Sequence, residues 1–192
     1  MSELNIKFRG VRGSYPVANE KFLKYGGNTS CVEINAGCHK IIIDAGTGII
    51  NAGNEFVQEY ITSAINPEDR KPINVTILLS HNHQDHLQGF TFFNPLHIKS
   101  TKVNVFGNVN DNENLKDELE KILFGKTFPL ELNDIAGYLN IQNINENEFI
   151  ILKENGEIEI TQENNNNPND VFIENFKSYS HPKDGVLIFK IT

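Results

Sequence analysis

Apolar and polar residues alternate from Leu4 to Phe8, the period-two pattern of a strand. Residues 9–30 are rich in Gly, Pro, Asn, Ser and Tyr, which predicts a long loop. Cys31-Val32-Glu33-Ile34 and Lys40-Ile41-Ile42-Ile43-Asp44 read as two strands, and the Asn35-Ala36-Gly37 turn between them predicts a hairpin. Ile49, Ile50, Phe56, Val57, Tyr60, Ile61 and Ala64 recur at helical spacing. They predict an amphipathic helix over 48–65, ended by Asn66-Pro67. Ile73 to Leu79 is a nearly continuous apolar run, as in a strand buried on both faces. Val103 to Phe106 is another strand, and Leu115, Leu119, Ile122 and Leu123 mark a helix over 113–124. From 138 onward short β segments dominate, near 139–144, 149–152, 157–161, 171–179 and 186–191. The Asn-rich patch at 164–169, with its Pro168, reads as a loop between two of them. Strands, a helix, a buried strand, another helix and further strands make a layered α/β (α+β) arrangement with mixed sheets.

Length and composition add bounds to this pattern. A chain of 192 residues fits a single domain, 1–192, and can bury a core without disulfide staples. Apolar residues make up 39% and charged residues 22%, the profile of an ordinary globular protein. No apolar run is long enough to span a bilayer, and the start lacks a basic region followed by an apolar stretch. A cytoplasmic protein with no membrane partner is the expectation. The net charge of −8 argues against tight nonspecific binding to nucleic acid. It leaves room for a small anionic substrate, because a bound cation can reverse the local field. Cys31 and Cys38 have no CxxC partner and read as reduced, packed thiols.

The chemistry concentrates in Ser80-His81-Asn82-His83-Gln84-Asp85-His86-Leu87. Three of the six histidines fall within these positions, directly after the buried strand. Extended geometry would point His81 and His83 the same way, toward one metal ion. A turn at Asp85 and His86, with a short helix starting near Leu87, would swing that pair toward a second ion. Imidazole and carboxylate ligands suit zinc, and also iron or manganese. His39 and His97 carry no motif and read as structural, and Lys99 with Lys102 reads as a solvated loop.

Several stretches resemble the metallo-β-lactamase-fold hydrolases, in particular their ribonuclease Z-like and cyclic-nucleotide phosphodiesterase-like branch. They are Arg9-Gly10-Val11-Arg12-Gly13-Ser14-Tyr15-Pro16, Tyr25-Gly26-Gly27-Asn28-Thr29-Ser30-Cys31-Val32-Glu33, Asp44-Ala45-Gly46-Thr47-Gly48, the histidine cluster through Phe90, and Ser180-His181-Pro182. They occur in the family's order along essentially the whole chain.

The resemblance implies an αββα sandwich with two divalent ions, zinc first, at one edge. His81, His83 and His181 would hold one ion, and Asp85 and His86 the other. Asp85 would also be catalytic, orienting a metal-activated water and accepting its proton. Asp44 would orient a metal ligand from behind; capping the 48–65 helix is its alternative role. The two Gly-rich loops would line the site edge or be plain loops. The substrate would be a phosphodiester of nucleotide or RNA type.

Relatives carry a bridging Asp and a late His beyond the His-Pro segment. Here Asp184 is the sole aspartate after His181, and the chain ends at Thr192. The expectation is therefore the N-terminal and central part of the sandwich, incomplete at its C-terminus. A competing expectation follows: a non-catalytic fragment or half of a split enzyme, binding at most one ion, completed by a homodimer partner or a complementing C-terminal chain. A redox di-iron protein is disfavoured, because such sites usually place a Glu among the early ligands, where this chain keeps His83 and His86.

Overall fold

The computed structural model describes residues 4–109, 113–126, 128–163, 167–180 and 185–192. Strands β1 (Leu4–Gly10), β2 (Cys31–Ala36), β3 (His39–Ile43), β4 (Asn74–Leu78), β5 (Lys102–Gly107) and β6 (Tyr138–Asn143) form one sheet in that order. A second sheet has the order β10-β9-β7-β8, from β7 (Phe149–Leu152), β8 (Ile158–Thr161), β9 (Val171–Ser178) and β10 (Val186–Ile191). The first three strands are antiparallel, and the hairpin turn at Gly37, whose φ is +58°, joins β2 to β3. From β3 to β6 the pairing is parallel. Parallel neighbours need a crossover, supplied by α1 (Gly48–Thr62) between β3 and β4 and by α3 (Leu115–Leu123) between β5 and β6.

The strand pattern sorts side chains into two cores. Ile42, Val75, Ile77, Val103 and Val105 pack with Ile49, Phe56, Phe90, Phe93, Leu115 and Leu119 on the helix side. Ile34, Ile41, Leu78 and Phe106 face Ile150, Leu152, Ile173 and Leu187 of the second sheet. Strand β4 feeds both cores, which is why its sequence is apolar without alternation. This is a layered mixed α/β sandwich.

Several boundaries differ from the sequence pattern. α1 stops at Thr62, because the hydroxyls of Thr62 and Ser63 bond back to the carbonyls of Gln58 and Tyr60 and close the last turn. α3 starts at Leu115, capped by the Asn114 side chain accepting from the Lys116 N–H. The long loop holds a 3₁₀ turn, Glu20–Phe22, capped by Asn19. Cys31 is buried, as expected of a packed thiol, and burial pushes its pKa up; Cys38 is exposed, because it sits in the hairpin turn. Among the described residues no helix is long and apolar enough to cross a membrane.

Strand β1 carries a bulge, with Phe8 opposite Val32 and Gly10 opposite Cys31. The extra residue, Arg9, turns its side chain toward the helix layer. Its Nε donates to Glu33 at 2.7 Å and its NH1 and NH2 donate to Glu55 of α1. The Arg9 and Glu33 side chains are 6% and 5% exposed.

Candidate functional site

The parallel strands β3 and β4 end side by side, and the chain after each supplies the site. In open α/β sheets this carboxyl end is where ligands collect. After β3, Asp44 adopts φ +63°, an uncommon conformation for a residue other than glycine. Its N–H donates to the Leu78 carbonyl at 2.9 Å, tying it to the end of β4. Its carboxylate gathers three donors. Oδ1 accepts the Ser80 N–H at 2.8 Å; Oδ2 accepts the Ser30 hydroxyl at 3.1 Å and lies 2.7 Å from His86 Nδ1. The helix α1 starts at Gly48 behind Thr47, without a side-chain cap, so Asp44 does not cap it.

After β4, residues 81–83 form no helix or strand, His83 is extended, and α2 (Gln84–Leu87) follows as a single turn. The expected turn at Asp85 and His86 is therefore a helical one. The His81 and His83 rings lie 4.7 Å apart, centroid to centroid, and those of His81 and His86 4.0 Å apart. His81 Nδ1 is 3.0 Å from the Ser80 hydroxyl. His86 Nε2 is 3.6 Å from Asp85 Oδ2. His81, His83, Asp85 and His86 thus form one cluster beside Asp44. His181 lies outside the described residues.

Backbone packing holds this cluster in place. Gly46 and Gly89 cross so closely that a Cβ on Gly89 would stand 2.2 Å from the Gly46 carbonyl oxygen. A Cβ on Gly46 would meet the Asp85 carbonyl oxygen at 2.4 Å. Ala45 N–H donates to the His86 carbonyl and Gly89 N–H to the Ala45 carbonyl, at 2.7 and 2.9 Å.

Both Gly-rich loops reach the site. The Ser14 N–H donates to Asp85 Oδ2 at 2.7 Å, from a backbone at φ +70°. Thr29 is fully buried, and its hydroxyl accepts from Gln88 Nε2 and from the Thr47 N–H. Ser14, Thr29, Ser30, Ser80 and Gln88 fall inside the stretches that carry the resemblance, but nothing in the sequence assigns any of them an individual role.

Electrostatics follow from these contacts. Burial pushes the Asp85 carboxyl up, but the Ser14 N–H and the neighbouring His86 outweigh it and hold its pKa below the usual range. Burial pushes His86 down, while its hydrogen bond to Asp44 and that charge hold it up, with a net rise. With Nδ1 against the Asp44 carboxylate, His86 Nε2 lies beside Asp85, the arrangement that orients a ligating histidine. The donor chemistry fits a divalent ion of zinc type. Among the described residues no three His, Cys, Asp or Glu side chains form a group ready to hold one ion.

The chain has the metallo-β-lactamase fold. It is similar to the metallo-β-lactamase fold protein YhfI from Bacillus subtilis, with a TM-score of 0.55 and 17% identity over 98% of this chain. It is also similar to a diphosphatase from the PhnP family, with a TM-score of 0.61 and 11% identity, again over 98% of this chain. The chain spans 58% of the length of the first and 62% of the second. No protein-family model matches the sequence, and no curated protein matches it.

Proposed function

We propose that the chain is a metal-dependent hydrolase acting on phosphodiesters of nucleotide or RNA type, in the manner of the ribonuclease Z-like branch. The observation that carries this reading is the Asp44–His86–Asp85 relay, in which a buried carboxylate fixes one imidazole nitrogen and leaves the other beside a second carboxylate. Its supports are the histidine cluster at the carboxyl ends of β3 and β4 and the likeness to a diphosphatase. His81 and His83, with His181, would hold one divalent ion, and Asp85 with His86 the other, zinc being the first choice. Such ions supply a Lewis acid for a phosphoryl oxygen and make water more acidic.

The chain's own residues do the rest. Asp85, kept ionised by the Ser14 N–H, accepts the proton of the attacking water at its carboxylate. Asp44 holds the His86 ring in orientation. The expected result is close to two ions per chain by elemental analysis of protein purified without chelator. Hydrolysis of bis(p-nitrophenyl) phosphate should fall at least about a hundredfold in Asp85→Ala. Metal-replete protein with no hydrolysis, and no difference in Asp85→Ala, would sink the reading.

A second reading starts from the second ion, for which the first reading offers only Asp85 and His86 as ligands. In it the chain is a non-catalytic fragment or half of a split enzyme, holding at most one ion until a homodimer partner or a complementing chain supplies further ligands. At most one ion per chain, with activity appearing only on adding a complementing chain, would select it.

A further inference from the structure

Loop 11–28 is closed on itself and touches the site through Ser14. Arg12 N–H donates to the Asn28 carbonyl at 3.0 Å and Val17 N–H to the Gly27 carbonyl at 2.9 Å. A Cβ on Gly27 would overlap the Val17 carbonyl, so only glycine allows this closure. Ser14, in the same loop, holds Asp85.

Within the loop Arg12 is placed unlike the other two arginines of the chain, Arg9 and Arg70. Arg9 is paired with two glutamates, and Arg70 bonds the Ala64 carbonyl and lies over one ring, that of Tyr60 at 5.4 Å. The Arg12 guanidinium lies 4.9 Å from the Tyr15 ring centroid and 5.5 Å from that of Phe22. Its Nε is buried with no hydrogen-bond partner among the described residues. Two rings therefore flank a guanidinium that no carboxylate pairs with among the described residues. A buried donor left unpaired is costly, and such groups call for an explanation. A planar guanidinium held by rings is suited to oxyanions. Two residues of chain reach at most about 7 Å, which bounds the distance from the Arg12 backbone to Ser14, whose N–H holds Asp85.

We propose that Arg12 is a substrate-positioning residue that binds an anionic oxygen of a phosphate ester delivered to the Asp85–His86 edge. The inference rests on the phosphoester reading above, and its test is separable from hydrolysis. The protein as purified, with equal metal content in each variant, is titrated with phenyl phosphate and with the neutral benzyl alcohol. Arg12→Gln should raise the dissociation constant for phenyl phosphate about tenfold, the worth of one charged hydrogen bond. Arg12→Lys should recover part of it, and benzyl alcohol should bind all variants alike. In the wild-type chain, phenyl phosphate should protect Arg12 from phenylglyoxal, mapped by mass, which covers the case of a variant that folds poorly. A dissociation constant within twofold of wild type in Arg12→Gln, or unprotected Arg12, would overturn the proposal. Arg12-dependent binding without any hydrolysis would overturn the enzyme reading and leave this one standing.

Discussion

The two faces of the six-stranded sheet are closed to different extents. On the helix side Phe56 of α1, and Phe90 and Phe93 from the 3₁₀ turns that follow α2, are essentially fully buried. On the other side the second sheet buries Ile41, Leu78 and Phe106, but its cover stops short of β1. Leu4, Ile6 and Phe8 share a face with Ala36, Ile34 and Val32, and they are 56%, 52% and 71% exposed. The same alternating pattern that marks a strand thus leads to full burial in one layer and to exposure in the other. Periodicity tells which residues share a face; it does not tell whether anything covers that face.

The sharpest way to break this contrast is to truncate one aromatic on each side. Phe56→Ala should cost about 3–5 kcal/mol by leaving a cavity in a closed core. Phe8→Ala should change stability by no more than about 0.5 kcal/mol. Urea unfolding of the two variants measures both, and a comparable loss at Phe8 would mean that β1 is covered in solution.

Next in size is the ion pair behind the bulge. Arg9→Ala leaves Glu33 buried with its main cation gone, and should cost about 3 kcal/mol. The double variant Arg9→Met with Glu33→Leu should recover most of that, because the charge needing a partner is gone as well. The recovery would place this corner with the closed layer and not with the exposed one.

The smallest effect is a pH dependence at the same corner. The hydrogen bonds from Arg9 and then Lys7 hold the Glu55 carboxyl down from 4.5 to about 2. A carboxyl that is more acidic when folded stabilises the native state at pH values above its unfolded pKa. That contribution fades as pH falls from 4.5 toward 2. Glu55→Gln should therefore flatten the acid limb of the stability curve in that window. High salt should shrink the difference, because Glu55 is half exposed.

Much of this architecture was legible beforehand. β4 declared itself by its apolar run, α1 by its helical spacing, and the histidine cluster by its density after a buried strand. The 3₁₀ turns at Glu20–Phe22, Phe90–Phe92 and Asn94–His97 were not, since single turns leave no period to detect. The bulge at Arg9 was hidden because one extra residue in a strand depends on its partner strand. Ser14 was hidden because it serves through its backbone N–H, which every residue but proline has. The exposure of Leu4, Ile6 and Phe8 was hidden because it depends on how far a sheet built from residues 149–191 extends.

Asp44 has one more consequence, for how the chain finds its alignment. A strand apolar on both faces, such as β4, gains little from side-chain pattern in choosing its register against β3. A slip of one residue would move each backbone partner by about 3.3 Å. The Asp44 N–H would then miss the Leu78 carbonyl, and Oδ1 would miss the Ser80 N–H. The same carboxylate could no longer hold Ser30 and His86, which lie 14 and 42 residues away in the chain. One side chain therefore checks the alignment of the central strands, and a mispaired chain cannot also orient His86. In this molecule a correctly set imidazole is a certificate of correct folding.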